Sequence, residues 1–162
     1  MFNNAIRHSL ILLSALFLTL LWVNNPDLSN YSLQLSAGLI IFLVLAHKLF
    51  KTDSFLLTES TISVICVTLI TSATAGLTSP LFFLNHFLLF ELSLLLEPSI
   101  AVILTFGLMV FYLYTNQVGS SPYNLAILLS LLVMTPLALL LGKVYQKVKN
   151  QIISTLSPLF SQ

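Results

Sequence analysis

The hydrophobic positions of this chain form six long runs, separated by short stretches rich in Pro, Gly, Asn and Ser. The runs cover residues 6–23, 31–49, 57–76, 81–96, 100–115 and 125–142. Each run is close to the length of about 20 residues that a helix needs to cross the hydrocarbon core of a bilayer. Short connectors make neighbouring helices antiparallel. The pattern therefore predicts an all-α, polytopic membrane protein with six transmembrane helices in an up-down bundle.

Composition supports a bilayer as the solvent. Of the 162 residues, 57% are hydrophobic and only 7% are charged, and the mean hydropathy is +1.01. A soluble domain carries about 25% charged residues. The formal net charge of +1 and the total of six Lys and Arg residues also argue against a nucleic-acid partner.

The basic residues predict the orientation of the bundle. They are Arg7, Lys48, Lys51, Lys143, Lys147 and Lys149. With six helices and a cytoplasmic N-terminus, all of them lie on the cytoplasmic side, in agreement with the positive-inside rule. We therefore expect a multi-pass membrane protein with both termini in the cytoplasm. The segment after the first run, "NNPD", lacks the small-x-small pattern of a cleavage site, so we expect an uncleaved first helix.

The sequence divides into a transmembrane domain, 1–142, and a cytoplasmic amphipathic tail, 143–162. In the tail, apolar residues recur at helical spacing with lysines on the other face: Tyr145, Val148, Ile152, Leu156 and Leu159. Two interpretations remain open. The tail is either an interfacial helix on the anionic leaflet or a docking helix for a partner protein. Pro158 is expected to end or bend it.

Two ionisable side chains lie inside the fourth run. Glu91 is about 15 Å along a helix that starts at Leu81, where a charged carboxylate costs roughly 2.5 to 3.5 kcal/mol. It is either a proton, ion or head-group site, or a protonated side chain bonded to a hydroxyl of the next helix. His86, nearer the outer edge, either binds a carbonyl-bearing ligand or bonds a neighbouring helix. The two lie about 140° apart around a helix.

Neighbouring segments carry weaker signals. A hydroxyl-lined face on the third run predicts close packing against the fourth; its residues are Thr61, Thr68, Thr71, Ser72 and Ala75. Pro136 is expected to kink the sixth helix, and Cys66 is expected to be a packing residue. No hydrolase, metalloprotease or P-loop motif occurs in these residues, so we expect a protein that is not an enzyme.

One connector resembles a known family. The stretch "AGLTSPLFF" is similar to the outer connector of the six-helix membrane input region of bacterial sensor histidine kinases. Redox-sensing members read Gly-Gly-x-x-Asn-Pro-Phe there, a motif associated with quinone binding. Gly76 and Pro80 match, whereas Ala75, Ser79 and Leu81 replace the first Gly, the Asn and the Phe. In outline the chain is also similar to small six-helix proteins of reduced-genome bacteria.

The closing stretch "SLLVMTPLALLLGKVYQKVKNQ" looks like the last helix and exit segment of such input regions, although these 162 residues contain no kinase part. The resemblance implies a multi-pass module of a bacterial inner membrane. Such a module binds a lipophilic ligand, with a quinone as the cofactor candidate, and signals through the sixth helix and the tail. The implied ligand-binding residues are Gly76, Ser79, Pro80, His86 and Glu91.

Two alternatives to the sensor interpretation remain open. The chain could be a substrate-binding membrane component of a transporter, although the first helix supplies few small residues for a partner. It could also be a structural membrane protein whose polar side chains join helices. Membrane lipid and a protein bound through 143–162 are the expected partners, and the residues do not specify an oligomeric state.

Overall fold

Helices make up almost all of the structure. The computed structural model describes residues 2–49, 55–115 and 121–156, with side chains for 5–48, 55–115 and 121–155. The elements in order are α1 (Phe2–Asn24), α2 (Pro26–Ser29), α3 (Ser32–Leu49), α4 (Phe55–Ala73), a 3-10 turn (Gly76–Thr78), α5 (Phe83–Leu95), α6 (Pro98–Tyr114) and α7 (Pro122–Leu156). The prediction of an all-α fold is confirmed, and each of the six apolar runs corresponds to one helix: α1, α3, α4, α5, α6 and α7.

Three of these helices are long and apolar enough to cross a membrane. They contain the stretches Ala5–Asn24, Phe55–Ala73 and Pro122–Thr155. The other apolar stretches, Ser32–Lys48, Phe83–Leu95 and Pro98–Tyr114, are shorter. Helix α5 has 13 residues, about 20 Å at 1.5 Å per residue, against a hydrocarbon core of about 30 Å.

Helix α5 lies at the centre of the bundle, where it contacts α4, α6 and α7. Helix α1 packs against α4 and α6, and α3 packs on the outside of α4. The core is built from fully buried leucines and aromatic side chains of α5 and α6, including Leu88, Leu89, Leu92, Leu104, Leu108 and Tyr112. Every side chain on the short helix α5 is therefore close to another helix or to the lipid-facing surface.

The outer surface of the bundle is apolar. Large hydrophobic side chains that are more than half exposed occur on α1, α3, α6 and α7, among them Phe17, Leu18, Ile41, Phe106, Val133 and Leu140. A water-soluble domain would bury most of this area, whereas lipid tails solvate it without cost. The composition and the exposed surface thus agree on a membrane protein.

Helix α7 is longer than predicted. It runs without interruption for 35 residues, with Pro136 inside it, and spans about 52 Å. It passes through residue 142, where the sequence suggested a boundary between the transmembrane domain and the tail. Pro158 and Leu159 lie outside the described residues.

Candidate functional site

The connector that resembles the quinone motif is a tightly folded turn. Helix α4 ends at Ala73, three residues earlier than predicted, and the chain then takes two left-handed conformations in succession, at Ala75 (φ 88°) and Gly76 (φ 60°). Glycine adopts this region without steric cost, whereas alanine does so rarely. Gly76 is buried. The two residues reverse the chain and lead it into the 3-10 turn.

Ser79 and Pro80 occupy the second half of the connector. The buried Ser79 hydroxyl lies 2.6 Å from the Thr74 hydroxyl and accepts a hydrogen bond of 3.0 Å from the Leu81 amide. Pro80 is exposed. A serine that bonds the amide two residues on forms a local turn that competes with a regular helix. These contacts explain why α5 begins only at Phe83.

His86 connects α5 to α7. Its Nε2 atom lies 2.9 Å from the hydroxyl oxygen of Ser130. The Ser130 hydroxyl also donates to the carbonyl of Ile127 at 2.5 Å. Which of the two atoms donates depends on the imidazole tautomer. His86 thus bonds a neighbouring helix, which is one of the two roles that the sequence left open, and the contact is partly buried.

Glu91 connects α5 to α4. The Ser63 hydroxyl donates to its carboxyl Oε1 at 3.2 Å, and the contact is partly buried. His86 and Glu91 therefore point to different helices, as their angular separation predicted. The structure places His86 beside α7 and Glu91 beside α4, so the two side chains lie on different sides of α5.

A third polar group on α5 was not singled out from the sequence. Asn85, Thr71 and Tyr112 are fully buried and come from α5, α4 and α6. The Tyr112 hydroxyl donates to Asn85 Oδ1 at 3.2 Å, and Asn85 Nδ2 lies 3.5 Å from the Thr71 hydroxyl. Asn85 immediately precedes His86 and is likewise a polar residue inside an apolar run, so the same sequence signal marks it. Because Tyr112 is near the end of an apolar run, its position in the sequence favours an aromatic residue at the membrane interface.

This network holds the connector in place. Asn85 Nδ2 donates to the carbonyl of Phe82 at 3.1 Å, and the Phe82 ring packs on Tyr112 with 5.4 Å between centroids. The Phe82 ring also meets the His86 imidazole edge-to-face at 5.6 Å. The last residue of the connector is therefore tied to α4, α6 and the His86 side chain. Helix α7 contacts the 3-10 turn as well.

Two apolar grooves lie on other faces of the bundle. One, of about 460 Å³, is between α1 and α6, and Gly107 and Phe111 contribute to its lining. The other, of about 190 Å³, is between α1, α3 and α4. None of the five predicted site residues lines either groove. A ligand at the connector would therefore have to approach from the lipid or replace a hydrogen bond within the protein.

Metal binding has no geometric support in the described residues. Within residues 2–49, 55–115 and 121–156, no three His, Cys, Asp or Glu side chains come together in a way that could hold a metal ion. Cys66 is buried on α4, where its thiol faces the Ser36 carbonyl of α3 at 3.8 Å. It packs between two helices, as the sequence predicted.

Comparisons with protein-family models, with curated proteins and with solved structures find no match to this chain. The resemblance of the connector to sensor-kinase input regions stays a prediction.

Proposed function

We propose that this chain is a six-span protein of a bacterial inner membrane and acts as a sensor-input module. It binds a lipophilic ligand of the quinone type at the outer connector, through Gly76, Ser79, Pro80 and His86. Glu91, on the other side of α5, stabilises one of the two states through α4. Helix α7 carries the change in conformation to the cytoplasmic side.

The observation that carries this proposal is the link between His86 and α7. His86 Nε2 is hydrogen-bonded to the Ser130 hydroxyl in the N-terminal part of α7, and the same helix continues unbroken to Leu156. A change at the histidine can therefore act on a rigid element that extends beyond the hydrocarbon core. A signal requires such an element with two arrangements, each favoured by a different state of the site.

The chemistry of His86 fits a ligand with a carbonyl group. In the tautomer that carries its proton on Nε2, the imidazole is a hydrogen-bond donor, and a quinone carbonyl could accept from it in place of the Ser130 hydroxyl. Ser130 would keep its own bond to the Ile127 carbonyl, so no buried donor would be left without a partner. The exchange would release α7 from α5 at this level while leaving α7 intact.

The six-span topology rests on length and charge. Helices α3, α5 and α6 are short, but apolar residues flank α5 in the connector and at its inner end, and local thinning of the bilayer accommodates short spans. Six spans also place every Lys and Arg on one side of the membrane. The location in a bacterial inner membrane is part of the proposal and is supported by the resemblance to sensor-kinase input regions.

A structural role is the second candidate, and one observation favours it. Three of the five predicted site residues already have a hydrogen-bond partner within the protein: Ser79 with Thr74, His86 with Ser130 and Glu91 with Ser63. Such bonds between helices stabilise membrane bundles without any ligand. The two candidates differ in whether a small molecule can replace one of these bonds.

Native mass spectrometry of the protein released in a mild detergent tests the proposal. We expect a discrete small molecule on the wild type, restored by adding a ubiquinone or menaquinone after delipidation, and absent from the His86→Ala, Glu91→Gln double variant. Phe87→Leu is the matched control, because Phe87 is adjacent to His86 but 64% exposed on the lipid side. It should bind like the wild type.

Hydrogen exchange tests the signalling step in the same samples. Added quinone should change amide exchange in residues 143–156 of the wild type, and Ser130→Ala should remove this response without removing binding. If all forms carry only heterogeneous phospholipid and added quinone changes nothing, the sensor proposal fails and the structural role is favoured.

A further inference from the structure

The part of α7 beyond residue 142 is basic on one side and apolar on another. Lys143, Lys147 and Lys149 are exposed, and no Asp or Glu occurs anywhere from residue 98 to the last residue of the chain. The same stretch exposes large apolar side chains: Val144, Tyr145, Val148, Ile152 and Ile153. A surface of this kind needs an occupant that is both anionic and apolar.

Contacts with α5 fix the level of this segment relative to the bundle. A Cβ atom on Gly142 would come within 2.6 Å of the Ser93 backbone oxygen and 3.1 Å of Pro98 Cγ, so α7 lies directly against the inner end of α5. One turn further on, Gln146 Nε2 donates to the Leu96 carbonyl at 3.2 Å. Lys143 and Lys147 therefore lie at the level of the turn between α5 and α6, where the apolar part of the bundle ends.

The polar side chains form a strip along one face of the segment. Lys143, Gln146, Lys147 and Asn150 follow one another at helical spacing and line a shallow polar surface. All four carry N–H donors. Tyr145, Val148 and Ile152 form the apolar strip on another face. Glu97, next to Leu96, is one carboxylate at this end of the bundle, and Glu59 in the first turns of α4 is another.

We propose that residues 143–156 bind anionic phospholipid at the cytoplasmic surface of the membrane. The ammonium and amide groups contact phosphodiester head groups, and the first residues of the apolar strip, Tyr145 and Val148, enter the boundary between head groups and acyl chains. Lipid is favoured over an acidic protein because the contacts to Ser93 and Leu96 hold the first lysines at the membrane boundary. This inference does not depend on ligand binding at the connector.

The expected size of the effect follows from the charges. A lysine near an anionic leaflet contributes about fivefold to the apparent affinity, and three together contribute about a hundredfold. At moderate ionic strength, charged residues contribute to this attraction only when they lie within roughly 10 Å of the lipid surface. This distance is comparable to the diameter of one helix. The preference should therefore weaken as salt is added.

Lipid titrations followed by native mass spectrometry of the full chain in a non-ionic detergent test this inference. Phosphatidylglycerol and phosphatidylcholine with the same acyl chains are compared. We expect the wild type to prefer phosphatidylglycerol, and Lys143→Gln, Lys147→Gln, Lys149→Gln to weaken that binding by about a hundredfold. The corresponding triple Arg variant keeps the charge and should retain the preference.

Arg7→Gln, Lys48→Gln is the matched control for loss of charge elsewhere, since both residues are exposed. It should leave most of the preference intact. Equal affinity for the two lipids in the wild type, or unchanged phosphatidylglycerol binding in the triple Gln variant, would overturn the inference. An equal loss of phosphatidylglycerol binding in the control variant would also overturn the inference. It would show that binding depends on the total charge of the protein and not on the lysines of residues 143–156. Thermal unfolding of each variant excludes misfolding as the cause.

Discussion

At the scale of single residues, several polar side chains inside this bundle find partners on other helices. Asn85 is one of them, because its amide bonds the Phe82 carbonyl while its oxygen accepts from Tyr112. An unsatisfied polar group in a low-dielectric interior is costly. The network beneath the connector therefore contributes to the stability of the fold whether or not His86 and Glu91 serve a ligand.

Removing the hydroxyl of Tyr112 should destabilise the protein. In Tyr112→Phe, Asn85 Oδ1 loses its donor in a fully buried position, and we expect the free energy of unfolding to fall by roughly 0.5–2 kcal/mol. Tyr114→Phe is the control, since Tyr114 is 69% exposed at the end of the same helix. Unfolding in increasing mole fractions of a denaturing detergent measures both.

The control should be indistinguishable from the wild type. Equal stability of Tyr112→Phe and the wild type would mean that the network adds no net stability, and that a water or another rotamer satisfies Asn85.

At the scale of elements, the C-terminal half of α7 packs closely against α5. Ser93 donates to the Ala138 carbonyl at 2.7 Å, Gly142 lies against Ser93 one turn later, and Gln146 bonds Leu96 one turn after that. The three contacts are four residues apart on α7, so they lie on one face of the helix. Together with the bond from His86 to Ser130, they make α5 and α7 a closely matched pair.

The absence of a side chain at Gly142 is therefore required for this pairing. In Gly142→Ala the new methyl group would collide with the Ser93 backbone, which cannot move aside as a flexible side chain would. We expect a loss of roughly 1–3 kcal/mol in the free energy of unfolding. Gly38→Ala is the control, because a Cβ there meets no atom within 4 Å.

Gly38→Ala should be neutral or stabilising by up to about 1 kcal/mol, since alanine favours helix over glycine. Thermal unfolding midpoints in mild detergent rank the two variants. If Gly142→Ala were as stable as Gly38→Ala, α7 would not lie this close to α5.

At the scale of the whole molecule, the number of spans decides which side each end of the chain faces. With six spans, Asn30 and Ser121 are outside while Lys48 and Asn150 are inside. If only the three long apolar helices crossed, the chain would place Lys48 and Asn150 on the outside and Ser121 on the inside. All four residues are exposed and can be labelled.

Single-cysteine variants at these four positions, in a Cys66→Ala background, distinguish the two topologies. We expect a membrane-impermeant maleimide to label Asn30→Cys and Ser121→Cys in intact spheroplasts. Lys48→Cys and Asn150→Cys should react only after permeabilisation. Labelling of Lys48→Cys in intact cells would contradict the six-span proposal.

The sequence by itself determined the class of structure. Apolar runs of near-spanning length, broken by Pro, Gly and Asn, allow little other than helices in an apolar solvent, because every backbone group must be bonded within its own segment. The helices that correspond to the six apolar runs follow from that rule. The angular separation of His86 and Glu91 was likewise readable, since it depends only on the helical repeat.

Only the tertiary structure decided which helix each side chain meets. Nothing local to Asn85 indicates that Tyr112, 27 residues away, is its donor, and nothing local to Gly142 indicates that Ser93 lies against it. The end of α4 at Ala73 and the unbroken course of α7 beyond residue 142 also depend on packing. The physical reason is that contacts between helices depend on rotation and depth within the bundle, which hydrophobicity along the chain constrains only weakly when the surrounding lipid is as apolar as the core.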